Sequence, residues 1–242
     1  MLRGIFTAAT GMNHELNRQE VIANNLANVE TVGFKRDNVV SLPFHEMLLN
    51  SYSKEGVQSI GKLGLGVQTT TTFVDFSDAT TIESGNPLDL AIKGPGVFAT
   101  EGPRGVRYTR AGNFAISSDG YLVTKEGYKV LGKNGPVKVS GGLEITTQGE
   151  IIKNGEVVDE LAVYDPAGLN KEGQYSYVAD GDTAAIPAQN YQIIQGSLET
   201  SNVNAIREMI QMITIGRNYE SNQKAMTIQD ETLGKAVNEL AK

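Results

Sequence analysis

The sequence predicts a mainly β protein with long terminal helices: N- and C-terminal α-helices pairing as a coiled coil, with an antiparallel β-rich domain between them. Three observations carry that reading. Apolar residues recur at spacings of four and three in residues 1–31 and again in 196–242, the signature of a helical seam. The residues between are short β-branched and aromatic runs broken by glycine turns. Regular strand-helix alternation, which a parallel nucleotide-binding sheet requires, is absent from that middle.

The first helix runs to about Val29 with Ile5, Ala9, Met12, Leu16, Gln19, Ala23 and Leu26 on its predicted seam. Asn24, Asn25 and Asn28 fall on its other faces as it ends, and asparagine prefers caps and turns to helix interiors. Their amides either cap backbone within the chain or bond an adjacent subunit, and Gly33 supplies the turn that follows.

Residues 32–72 read as an extended connector arm or mobile loop, with one short helical patch near Phe44 to Leu49. The β-rich domain then occupies 73–195. Within it "LDLAIKG", "GVFAT", "VRYTRAG", "YLVT" and "ELAVYD" have strand composition, and residues 120–160 suit successive local hairpins. Asp119-Gly120, Gly149-Glu150 and Asn154-Gly155 are their turns. Asn86-Pro87 opens a corner after which Leu88, Leu90 and Ile92 alternate with Asp89, Ala91 and Lys93.

The last helix starts near Ala205, capped by Asn202 or Asn204 with Glu208 in its first turns, and reaches Ala241, a rod of about 55 Å. Its predicted seam is Met209, Met212, Gly216, Tyr219, Gln223, Met226, Asp230, Leu233, Val237 and Leu240. A second apolar edge, Ile206, Ile210 and Ile213, is left to be covered. Glycine and polar residues weaken both seams, so the helices are expected to order fully only when neighbouring subunits bury both faces.

Composition excludes several functions. The chain has 242 residues, 40% of them hydrophobic, enough for a real core. Its 21 basic residues are scattered among 28 acidic ones, giving a net charge of -7, so nucleic acid is not expected as a partner. No apolar run reaches the roughly 20 residues of a bilayer span, so no membrane insertion is expected. "GIFTAATGM" is too short and threonine-rich for a secretory signal core. With no cysteine, disulfides and thiolate metal sites are excluded.

The search for chemistry yields no catalytic, cofactor or metal residues. His14 and His45 have no partner at ligand spacing. "GKLGLG" at 61–66 lacks the phosphate-loop order and precedes no helix pattern, and "DGD" at 180–182 offers too few oxygens for calcium, so both read as turns. No G-x-S-x-G elbow occurs.

Four segments in order carry a resemblance: "AATGMNHELNRQEVIANNLANVETVGFKR", "GNPLDLAIKGPGVFAT", "YTRAGNFAISSDGYLVTKEGYKVLG" and "GSLETSNVNAIREMIQMITIGRNYESNQKAM". Through them the chain resembles the flagellar basal-body rod and hook family of axial proteins. The resemblance implies a structural, non-enzymatic subunit that polymerises into a helical tube and transmits torque from motor to hook. It also implies helices in an inner coiled-coil layer, the β domain outside, and delivery of the unfolded chain through the flagellar type III export apparatus. Partners would be other copies of itself and neighbouring rod or hook axial proteins, located in the basal-body rod beyond the cytoplasmic membrane. The modest length resembles a proximal or distal rod subunit more than a hook subunit; the first four residues and "YTRAG" lean to the proximal type. The expected subunit-interface residues are Ile5, Met12, Leu16, Asn24, Asn25, Leu26 and Asn28 on the first helix, and Met209, Met212, Tyr219, Met226, Leu233 and Val237 on the last.

Two other classes compete. A secreted adhesin with oligomerising helices would need a ligand-facing aromatic or charged patch, and none stands out. An enzyme would have to draw on dispersed carboxylates such as Asp75, Asp78, Asp89 and Asp119, a spacing more typical of solvated surface charge.

Overall fold

The computed structural model describes residues 2–44, 47–53, 56–139, 143–153, 155–165, 167–173, 176–179 and 187–240. They form a mostly β middle with a helix at each end. By contacts the chain divides into two compact units, one holding residues 1–26, 37–73 and 204–242, the other 27–36 and 74–203.

In the first unit, helix α1 spans Leu2–Ala27 and helix α2 spans Ala205–Leu240. The N-cap of α2 is Asn204: its Oδ1 accepts the Arg207 amide at 3.0 Å and its carbonyl the Glu208 amide at 3.0 Å. The 36 residues of α2 make a rod of about 54 Å. Residues 37–73 carry strand structure throughout much of their length. Arg36–Pro43 pairs with Val67–Asp75, and Met47–Ser53 with Gly56–Leu63 from Met47↔Leu63 to Ser53↔Gly56. The expected helical patch near Phe44 to Leu49 is therefore corrected, since Met47 to Leu49 lie in a strand. A run of ladder bonds outweighs the weak helix propensity of "MLL". His45 lies outside the described residues. The "GKLGLG" glycines lead into a strand rather than a helix.

The second unit is built on a nine-stranded sheet whose central strand, Val97–Gly102, pairs antiparallel with Gly105–Thr109 and Lys129–Gly132. Both its faces are buried. Phe98 joins Leu90, Ile92, Phe114, Leu122, Val130, Leu161 and Ile193 on one side, while Val97 and Ala99 meet Tyr108, Ala162 and Tyr177 on the other. Phe98 and Phe114 meet edge to face at 5.2 Å. Strand Leu90–Lys93 departs from simple alternation, because Ala91 is buried along with Leu90 and Ile92.

The local hairpins appear as expected. Ala115–Ile116 pairs Leu122–Val123 across a turn in which the Gly120 amide reaches the Ser117 carbonyl at 2.9 Å with φ 81°. Gly149 closes the next one on Thr146 at 2.9 Å. Glu150–Lys153 pairs Glu156–Glu160 around Gly155 at φ 87°; Asn154 of that turn and the "DGD" segment lie outside the described residues.

Candidate assembly surface

Helices α1 and α2 pack together antiparallel. Gly4 lies against Gln229, Gly11 against Asn222, and Glu15 Oε1 accepts the Asn218 amide at 3.2 Å, so the partner number falls as the α1 number rises. The inward stripe of α1 is Gly4, Ala8, Gly11, Glu15, Arg18, Ile22 and Asn25, a four-three repeat one residue ahead of the expected seam, with Ala8, Glu15, Ile22 and Asn25 buried and the other three half-buried. Glu15 is 8% exposed and the neighbouring Leu16 44%. Leu16 thus faces outward, while Ile5, Met12 and Leu26 are half-buried on the flank.

On α2 half of the expected seam holds. Met212, Tyr219, Met226 and Leu233 are half-buried, as the inner side of a paired helix should be. The alternate positions shift back by one: Glu208, Ile215, Asn222, Gln229 and Ala236 face inward where Met209, Gly216, Gln223, Asp230 and Val237 were expected. Met209 and Val237 are exposed. Between the buried Ala8, Ile22 and Ile215, the helices meet through glycine, amide and carboxylate at three rungs, Gly4 with Gln229, Gly11 with Asn222 and Glu15 with Asn218, and these small and polar partners accompany the shift. On α2 an apolar row is left outside, Ile206, Met209, Ile210 and Ile213, at the i, i+3, i+4, i+7 spacing of one helix face, with Ile206 at 72% exposure. Phe6 is exposed on α1.

The asparagines divide. Asn25 is buried and its amide grips the backbone of one residue of the same chain, donating to the Asp37 carbonyl and accepting the Asp37 N–H, each at 2.9 Å. Asn28 is buried, and it accepts the Thr31 amide on its carbonyl at 3.1 Å and the Thr31 hydroxyl on Oδ1 at 3.3 Å. Of the two expected uses of these amides, the bonds seen for Asn25 and Asn28 are made within the chain. Asn24 is exposed.

The second unit is closed by a buried ionic knot. Glu199 accepts Lys35 Nζ at 2.7 Å, Arg110 Nε at 2.5 Å and the Ala79 amide at 3.0 Å. Lys35 also donates to the Ser77 carbonyl at 2.7 Å, and Arg110 to the carbonyls of Gly96, Ile92 and Gly94 and to Asp78. Burial pushes the Glu199 carboxyl up, but Arg110 and Lys35 outweigh it and hold the group below its ordinary range. Burial dominates at Lys35 and lowers its ammonium pKa despite Glu199. Beside the knot, the Gly33 amide donates to the Glu199 carbonyl at 2.8 Å, and Asn202 accepts the Arg36 amide at 2.8 Å while donating to the Asp75 carbonyl at 2.8 Å.

Comparison with known proteins decides the family. The profile described as flagella basal body rod protein matches residues 5–35, the flagellar hook protein FlgE/F/G D1 domain matches 91–159, and the flagellar basal body rod FlgEFG protein C-terminal region matches 194–239. Over 98% of its length the chain is 32% identical to the flagellar basal-body rod protein FlgG of Bacillus subtilis, covering 99% of that protein. It is 33% identical to FlgG of Agrobacterium fabrum over 95% of this chain and 96% of that one. The flagellar basal-body rod protein FlgF of Rhizobium meliloti is 30% identical over 99% and 98%. The chain belongs to the flagellar basal-body rod protein family.

The knot of this rod protein draws one residue from each matched segment: Lys35, Arg110 and Glu199. None was singled out from the sequence, although each sits inside a quoted motif, "VGFKR", "YTRAG" or "GSLETSN". The matched families are rod and hook families, and none is catalytic. Of the dispersed carboxylates, Asp78 is spent on Arg110 and Asp75 accepts the Ser77 amide at 3.0 Å, closing a turn. His14 bonds Thr69 at 3.0 Å. Among the described residues no cluster of metal-ligating side chains occurs and no helix is long and apolar enough to cross a membrane.

Proposed function

We propose that this rod protein acts as a structural, non-enzymatic subunit that polymerises with copies of itself and adjoining axial proteins through its terminal helices. The observation that carries the reading is the outward apolar row of α2, Ile206, Met209, Ile210 and Ile213, which the fold of one chain leaves in water. A run of four large apolar residues on one face is a surface awaiting a partner. In the tube, α1 and α2 form a coiled-coil layer and the β unit lies outside it. Head-to-tail contacts that do not close a ring extend into a helix, and torque passes through many such contacts.

Within that assembly Leu16, Met209 and Val237 are exposed and serve as direct contacts, with Ile5, Met12 and Leu26 on the margin. Met212, Tyr219, Met226 and Leu233 shape the intrachain seam that presents them. The polar, glycine-lined helix contact also suits a chain threaded unfolded through the type III export apparatus, since little is lost when the pair is opened. Electron microscopy of basal bodies carrying a tagged copy tests the reading directly. Label along the rod supports it; a normal rod assembled from subunits lacking residues 205–242 refutes it.

A further inference from the structure

The α1/α2 contact inverts the composition of a leucine zipper. Where a zipper sets leucine on leucine, this pair seats Gln229 on Gly4 and Asn222 on Gly11. The two seats are seven residues apart on each helix, and a third polar rung, Glu15 with Asn218, follows four residues further on both. A Cβ added at Gly11 would lie 3.0 Å from the Asn222 amide nitrogen, and one at Gly4 would overlap the Gln229 amide, so each glycine makes the room its partner occupies. Gln229 Oε1 is buried with no hydrogen-bond partner among the described residues, against the first turn of α1. A polar group held in a helix seam costs stability and selects alignment.

We propose that Gly4 with Gln229 and Gly11 with Asn222 form a register lock that admits one axial alignment of α1 on α2. The alternatives fail on identifiable residues. Sliding by one heptad, about 10 Å, in one direction places Gly11 opposite Ile215 and breaks the Glu15–Asn218 bond. In the other direction Gln229 takes the Gly11 seat, but Asn222 leaves its glycine for Arg18 and the Asn218 amide meets Ile22, which the native alignment buries. The lock therefore fixes which residues α1 and α2 leave outside. That Phe6, Leu16 and the Ile206 to Ile213 row then meet a second copy rests on the assembly reading; the lock itself is a property of the single chain.

The chain has no cysteine, so introduced thiols report the alignment without background. Glu15→Cys with Asn218→Cys places a pair in register, and Glu15→Cys with Ala225→Cys places one a heptad out. A short thiol cross-linker is applied to each full-length monomer, followed by peptide mapping. The lock predicts that only the first pair closes in the parent chain, and that Asn222→Leu with Gln229→Leu, joined in the second pair by Asn218→Leu, lets the second close as well. Equal closure of both pairs in the parent overturns it. So does unchanged selection, or closure of neither pair, in the leucine background. Rod incorporation of the same variants is scored separately: a chain that keeps its selection but does not enter the rod counts against the assembly reading alone.

Discussion

Replacing Glu199 with alanine removes the carboxylate that Lys35 and Arg110 share. Both cations are enclosed, with the Lys35 side chain at 0% exposure and that of Arg110 at 1%. Each keeps its carbonyl acceptors, Ser77 for Lys35 and Ile92 and Gly94 for Arg110, and Arg110 keeps the exposed Asp78, but the two like charges lose the buried carboxylate between them. Deleting one partner of a buried pair costs about 3–5 kcal/mol, and here one deletion takes the buried carboxylate from two cations while the Asp78 contact of Arg110 offsets part of the loss. At about 2–4 °C per kcal/mol for a chain of this size, Tm falls by about 6–20 °C. Scanning calorimetry of Glu199→Ala beside the parent measures it, with Glu199→Gln, which retains an acceptor, falling between. The carboxyl is held below its unfolded value of 4.5, so its contribution is complete above that pH and is lost as pH falls through the lower folded value. The difference between parent and variant must accordingly shrink in acid below pH 4.5. A Tm within about 2 °C of the parent at neutral pH, or a gap that does not narrow in acid, refutes the knot as a stabilising element.

Three further substitutions probe other links. Gly33 has φ 67°, and a Cβ there would sit 2.5 Å from the Ala111 nitrogen; Gly33→Ala should cost about 2–4 kcal/mol, seen as a lower urea midpoint at unchanged slope. Asn25→Ala strips both backbone groups of Asp37 of their Asn25 partner and should cost about 2–4 kcal/mol, with hydrogen exchange at the Asp37 amide rising; an unchanged exchange rate would mean the amide grip is incidental. Ile210→Asp with Ile213→Asp alters exposed positions and should move monomer stability by no more than about 1 kcal/mol while blocking rod incorporation; motile cells with complete rods would count against this face.

The extent and ends of the helices were legible because caps and heptads are local. Asn204 is one of the two N-cap candidates the spacing offers, and the inward turn of Met212, Tyr219, Met226 and Leu233 follows from the same spacing. The seam of α1 was misplaced by one residue because apolar periodicity marks what seeks burial without naming the partner. Leu16 has the right chemistry for a seam, yet Glu15 occupies it, bonded to Asn218 some two hundred positions away. The hairpins around Gly120 and Gly149 were readable from their turns. The knot was not, since Lys35 lies 164 positions from Glu199 and Arg110 lies 89 from it, and no local pattern distinguishes a buried lysine from a solvated one.

The same misplacement bears on how the molecule divides its interactions. A chain that spent its large apolar residues on its own helix pair would make a stable monomer with a polar outside and little reason to polymerise. Here the intrachain contact sets three rungs of glycine, amide and carboxylate among Ala8, Ile22 and Ile215, and the worth of those rungs lies in geometry, their net contribution per hydrogen bond being about 0.5–1.5 kcal/mol. The exposed Ile206, Met209, Ile210 and Ile213 each hold back roughly 1.5–3 kcal/mol of burial for a later contact. Four such side chains outweigh the three polar rungs, so the outer face holds a large apolar gain in reserve for the proposed assembly. Alignment is then decided within the chain and affinity between chains, and exchanging the two, with leucine inside and amides outside, should give a stable monomer that does not extend a rod.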